Sequence, residues 1–147
     1  MKFPLSVALA TFALVASIGA ADIPKELVDA YLQVQSALAA DKLDGVPAHA
    51  KTIELGATTL GKDAEKLAAS AKKLQDAKDI AAARSAFGEL SDAMIAYADK
   101  TKSGFGADVR IAFCPMANKP WLQKEKAIRN PYYGASMISC GSFRTKD

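Results

Sequence analysis

The stretch DIAAARSAFGELSDAMIAYADK, residues 79–100, decides the fold class. Within it Ile80, Ala83, Phe87, Leu90, Met94 and Tyr97 recur at steps of three and four residues. That spacing lays one apolar stripe along an α-helix. Asp79 stands where an N-cap belongs, and Ser103, Gly104 and Gly106 end the pattern.

Three shorter stripes precede it. Ala64, Leu67, Ala71 and Leu74 make one in a lysine- and alanine-rich setting. Val46, Ala50, Ile53, Ala57 and Leu60 make another, with Asp41 or Asp44 as its cap, Pro47 in its tolerated first turn and Gly61 as its stop. Leu27, Tyr31, Val34 and Leu38 form the first, opened by Asp22 and Pro24 and running to about Ala40. Short links between four helices imply antiparallel neighbours. The expected fold class is therefore all-α: an up-and-down four-helix bundle over residues 22–103. Its many alanines let helices approach closely, but each buries little area at roughly 25 cal/mol per Å².

Beyond Gly106 the texture changes to an irregular C-terminal tail, residues 104–147, with room for a short β-hairpin. Val109, Ile111 and Phe113 alternate like a strand, and Met137 to Phe143 is the candidate second strand paired with it. Between them Pro115, Pro120, Trp121, Pro131, Tyr132, Tyr133 and Gly134 read as a packed cover sealing the bundle. Asn130 before Pro131, followed by Gly134, reads as a rigid turn that fixes where Met137 falls.

At the other end, Lys2 is followed by an apolar run from Phe3 to Ala16 and by the small residues Gly19, Ala20 and Ala21, with no further charge before Asp22. This is the pattern of a signal peptide over residues 1–21. Residues 22–147 are then a single helical domain, expected in the periplasm or outside the cell, with no stable membrane insertion once the signal is removed.

A net charge of +3, from 19 Lys and Arg against 16 Asp and Glu, is a mixed surface and argues against a nucleic-acid partner. No glycine-rich phosphate loop, serine elbow or paired-carboxylate motif is present, so no enzymatic activity is expected.

The concentrated chemistry lies in the tail. Cys114 and Met116 stand in Cys-Pro-Met, and Met137 and Cys140 in Ser-Met-Ile-Ser-Cys-Gly. Each half supplies one thiol and one thioether. If the two halves lie side by side, four sulfurs converge, and such a donor set selects Cu(I), or its soft relative silver, over hard ions. Zinc fits less well, since thioether is not among its usual ligands and no Cys-x-x-Cys pair exists. His49 is the sole histidine and a further donor to weigh. The competing reading is a Cys114–Cys140 disulfide that staples the tail and leaves no metal site. A thiol redox protein is a third and poorer reading, because the cysteines are far apart in sequence and lack the helix N-terminal arrangement that lowers a thiol pKa.

The segments Phe113-Cys-Pro-Met-Ala117, Trp121-Leu-Gln123, Ile128-Arg-Asn-Pro-Tyr-Tyr-Gly134 and Ser136-Met-Ile-Ser-Cys-Gly141 resemble an uncharacterised family of exported helical domains. Such domains occur alone or at the C-terminus of adaptor (membrane-fusion) subunits of heavy-metal efflux pumps for copper and silver. The resemblance extends upstream through Tyr31, Ala37-Leu-Ala-Ala-Asp41, Ala77-Lys-Asp-Ile80, Arg84, Phe87 and Leu90-Ser91. It implies a periplasmic role in copper handling, with Cys114, Met116, Met137 and Cys140 at the matched sulfur positions and an efflux adaptor or other envelope protein as partner. Some relatives carry a further histidine followed closely by an aromatic residue in the helical half. The stretch Gly61 to Lys73 here has neither.

Two functions follow as expectations. One is a non-enzymatic soft-metal binder that buffers the ion or passes it on. The other is a disulfide-stapled interaction module of the cell envelope without metal.

Overall fold

A computed structural model describes residues 21–145. The expected signal segment, apart from Ala21, lies outside the described residues. Four helices follow in order: α1 (Lys25–Ala39), α2 (Val46–Thr59), α3 (Glu65–Gln75), which a 3-10 turn at Lys62–Ala64 leads into, and α4 (Ile80–Thr101). Each packs on the next. Tyr31, Val34, Leu38, Ile53, Leu67, Leu74, Phe87, Leu90 and Met94 are buried, so the stripes read from the sequence form the helical core.

The helix starts are less uniform than the expected caps. Asp79 does cap α4, its carboxylate accepting from the Ala82 N–H at 2.8 Å. Helix α2 instead starts from Gly45, whose φ of 75° turns the chain without a side-chain bond, and Pro47 sits in the first turn as expected. The cap residue of α1 is Pro24, not Asp22. The segment before it is pinned by a hydrogen bond from Ile23 N–H to the Gly104 carbonyl at 3.0 Å.

The all-α expectation is overturned. The C-terminal segment builds a three-stranded antiparallel sheet, β1 (Arg110–Cys114), β2 (Lys119–Gln123) and β3 (Ser142–Phe143), in the order β2-β1-β3, so the fold is mixed α/β. The hairpin is also not the expected one. The full-length partner of β1 is β2, from Arg110 opposite Gln123 to Cys114 opposite Lys119. Of the expected second strand only Ser142 and Phe143 pair with β1, opposite Phe113 and Ala112, whereas Met137 closes a 3-10 turn at Gly134–Met137. Pro120 is tolerated because β2 is an edge strand, where a missing N–H costs no ladder bond.

The buried face of β1 also differs from the alternation. Ala112 and Cys114 are fully buried, while Ile111 and Phe113 are only partly so. Opposed residues of an antiparallel pair share a face, which puts Ala112 and Cys114 with Trp121. The returning chain closes over that face, and beside so large a ring only small side chains fit.

Aromatic and polar contacts join helices to sheet. Tyr31 stacks on Phe87 at 4.9 Å, Phe87 lies 5.9 Å from Tyr132, and Tyr132 meets Trp121 edge-on at 6.0 Å. The buried Tyr31 hydroxyl bonds Ser91 Oγ at 2.5 Å and accepts from the Leu122 N–H of β2 at 3.2 Å. A buried hydroxyl thus supplies the acceptor that the edge strand's amide needs.

Candidate thiol and metal site

Cys114 ends β1, and its backbone is held opposite Lys119. The connecting turn, residues 115–118, closes with Asn118 at a left-handed φ of 50°. It folds back so that the Ala117 N–H donates to Cys114 Sγ at 3.3 Å. Met116, at the outer side of this turn, is 64% exposed.

Cys140 arrives from the other side. Its Sγ lies 3.7 Å from Cys114 Sγ, and both cysteines are free thiols. Cys114 is fully buried, and Cys140 is only partly covered. Burial pushes the Cys140 thiol above its usual range, and the Cys114 sulfur adds to the rise by hydrogen bonding and by charge; the Met116 backbone amide opposes it.

What brings Cys140 there is a loop organised by the fully buried Asn130. The Asn130 side chain donates to the Cys140 carbonyl at 2.7 Å and accepts from the Tyr132 and Tyr133 amides at 2.8 and 3.2 Å. Its backbone N–H donates to the Ile138 carbonyl at 2.8 Å. Next to Cys140, Gly141 has a φ of +134°, and a Cβ there would lie 2.7 Å from the Trp121 ring and 2.8 Å from the Phe113 carbonyl oxygen. Only glycine lets the chain pass this close to β1.

The loop is also clamped to the helices. Arg84 on α4 donates to the Pro131 and Leu38 carbonyls at 2.9 Å each and pairs with Asp41 at 2.6 Å, while Asp41 accepts from the Ala135 N–H at 2.9 Å. The Ala135 amide first, then Arg84, holds the Asp41 carboxyl below its ordinary range. Gly134 fits beneath this pair because a Cβ would come within 2.0 Å of Asp41 Oδ1. Gln123, also buried, accepts from Trp121 Nε1 and the Arg129 N–H and donates to the Glu125 and Ala127 carbonyls. Burial raises the Tyr132 phenol, so it stays protonated and donates to the Pro120 carbonyl.

Of the five residues weighed as donors, the fold brings Cys114 and Cys140 into contact. Met116 projects from the turn that follows Cys114, and Met137 ends the 3-10 turn before Cys140, its carbonyl accepting from the Cys140 N–H at 3.0 Å. His49 sits near the start of α2, beside Gly45. Among the described residues no group of three or more His, Cys, Asp or Glu side chains converges, so His49 does not complete the thiol pair. Met94 is buried in the helical core. The organising roles of Gly141 and Gln123 were not apparent in the sequence. The signals available were a glycine directly after a cysteine and a glutamine in an otherwise apolar Trp-Leu-Gln run.

Residues 27–105 match the sequence model of a family described as protein of unknown function (DUF3347), just over half of the 147-residue chain. The match runs from the first turn of α1 through α4 and ends before the sheet and both cysteines. No curated protein and no solved structure matches the chain.

Proposed function

We propose that this chain, which belongs to the DUF3347 family of proteins of unknown function, is a non-enzymatic soft-metal binding protein of the periplasm. Its cargo in this reading is Cu(I), or silver, which it buffers or passes to an efflux adaptor or other envelope protein. The helices serve as the scaffold, Cys114 and Cys140 as thiolate ligands, and Met116 and Met137 as neutral thioether donors.

The observation that carries the reading is the 3.7 Å separation of the two thiol sulfurs. A cation with bonds of about 2.3 Å to two sulfurs at a tetrahedral angle spans roughly 3.8 Å between them. The pair therefore fits a chelating soft cation without rearrangement of the sheet. The methionines adjoining each cysteine tilt the choice toward Cu(I) over zinc. The partial exposure of Cys140 and the high exposure of Met116 leave a route for ligand exchange. The apolar run read as a signal peptide supports the exported location, and no helix among the described residues is long and apolar enough to cross a membrane.

Anaerobic titration of the reduced protein with Cu(I) against a competing chelator tests this. One-site binding that is weakened in both Cys114→Ser and Met137→Leu is expected. Failure of the wild type to compete rules the reading out.

The same separation favours a second reading, the disulfide-stapled module without metal. A bridge between residues 26 apart would contribute about 3–4 kcal/mol by loop entropy, useful to an alanine-rich bundle. Mass spectrometry of the protein as isolated from the envelope distinguishes the two: a native bridge favours the staple, and free thiols favour the metal site.

A further inference from the structure

The two thiols are in contact but differ in access, in backbone support and in surroundings. Cys114 is fully buried, set at the end of a strand paired on both sides and oriented by the Ala117 N–H. Cys140 is partly open to solvent and lies outside both the 3-10 turn and β3. We infer that the pair is an asymmetric dithiol that reacts with disulfides, Cys140 being the sulfur that enters and Cys114 the sulfur that resolves. This goes beyond the metal reading and does not depend on it, since it requires only the two thiols.

The chemistry follows from the access. A small or protein disulfide, R–S–S–R, can reach Cys140 Sγ but not Cys114 Sγ. The raised Cys140 thiol is mostly protonated near neutral pH, so entry runs through its minor thiolate fraction and quickens as pH rises; that thiolate attacks one sulfur of the substrate, forming a mixed disulfide and expelling one thiolate, RS⁻. Cys114, 3.7 Å away, then attacks Cys140 Sγ, and the bond to R breaks with release of the second RS⁻. The two cysteine protons end on the two released thiols. In balance, the protein dithiol and one R–S–S–R give one protein disulfide and two RSH, with two electrons passed to the substrate. A protein S–S bond is about 2.0 Å long, so closure draws the sulfurs together by well under the length of a side chain. The movement falls on Cys140, whose segment is held by the Asn130 and Met137 bonds rather than by a sheet ladder.

A consequence is that a mixed disulfide cannot persist while Cys114 is present, because the resolving sulfur is already in contact. Where the metal reading also holds, the oxidised pair has no thiolates to offer, and bound Ag(I) blocks oxidation.

The test uses the full-length reduced protein and glutathione disulfide, with quenched aliquots read by intact-mass spectrometry. Wild type should lose two hydrogens and show no glutathione adduct. Cys114→Ala should accumulate one adduct, mapped to Cys140. Cys140→Ser should stay unmodified until denaturant exposes Cys114, and far-UV circular dichroism identifies whether each variant is folded. A persistent adduct on the wild type, no reaction of the wild type, or adduct formation on folded Cys140→Ser as fast as on Cys114→Ala overturns the assignment. Loss of Cu(I) binding without any of these changes would instead count against the metal reading alone.

Discussion

Replacing Gly141 by alanine tests how the thiol pair is held. The backbone there has a φ of +134°, and the added methyl carbon would lie 2.7 Å from the Trp121 ring and 2.8 Å from the Phe113 carbonyl oxygen. Backbone strain of this kind costs about 1–3 kcal/mol. Forcing a methyl into a filled space adds about 1–3 kcal/mol. Together these are roughly 2–6 kcal/mol, a large share of the 5–15 kcal/mol that stabilises a typical domain. Gly61→Ala is the matched control, because Gly61 has a φ of +82° but nothing within 4 Å of a Cβ. It should lose only the backbone part, about 1–3 kcal/mol. Urea unfolding followed by the fluorescence of the single tryptophan, Trp121, measures both. The chain can also relieve the clash by lifting β3 away from β1, which carries Cys140 off Cys114. Bridge formation with glutathione disulfide should then slow in Gly141→Ala and not in Gly61→Ala. If Gly141→Ala costs no more than the control and bridges at the wild-type rate, the close packing of Gly141 does not position Cys140.

Two further outcomes are expected. Gln123→Ala leaves the Trp121 Nε1–H, the Arg129 N–H and the Ala127 carbonyl without their partner, while the Glu125 carbonyl keeps only its bond from Arg110; it should destabilise by about 2–5 kcal/mol, and a loss under 1 kcal/mol in urea unfolding would refute a network role. The Asp41 carboxyl is held low in the folded state by the Ala135 amide and Arg84, so its contribution is present above the unfolded value of about 3.9 and is lost as pH falls through the lower folded value. The protection of the Ala135 amide, its exchange rate relative to the intrinsic rate at each pH, should therefore fall on acidification below about pH 4, whereas Asp41→Asn should already show weak protection at neutral pH with a flatter profile; matching protection profiles in the two proteins would argue against the clamp.

Much of the helical half was legible locally. The stripe from Ile80 to Tyr97, the Asp79 cap and Pro47 in the first turn of α2 depend on residues within a turn or two of one another, so a 3.6-residue period is enough to read them. Helix starts were harder. Asp41 was a reasonable cap for α2, yet its carboxylate serves Arg84 and Ala135, a partner 94 residues away.

The sheet was beyond such reading. Lys119–Gln123 has a proline and no clean alternation, and it becomes a strand because its proline falls on an edge while Tyr31 supplies an acceptor for Leu122 from 91 residues away. The period-2 pattern of Val109, Ile111 and Phe113 marked a strand but not its tighter face, because the face of β1 that packs inward lies beside Trp121, where the space admits only small residues. The four amphipathic helices and the sulfur-bearing residues could be read locally, since both are properties of short segments. The tertiary structure alone decided that Cys114 and Cys140 touch. Their contact depends on Asn130 closing one loop and Gly141 passing against Trp121, and hydrogen bonds and steric clearances between distant segments exist only once the chain has folded.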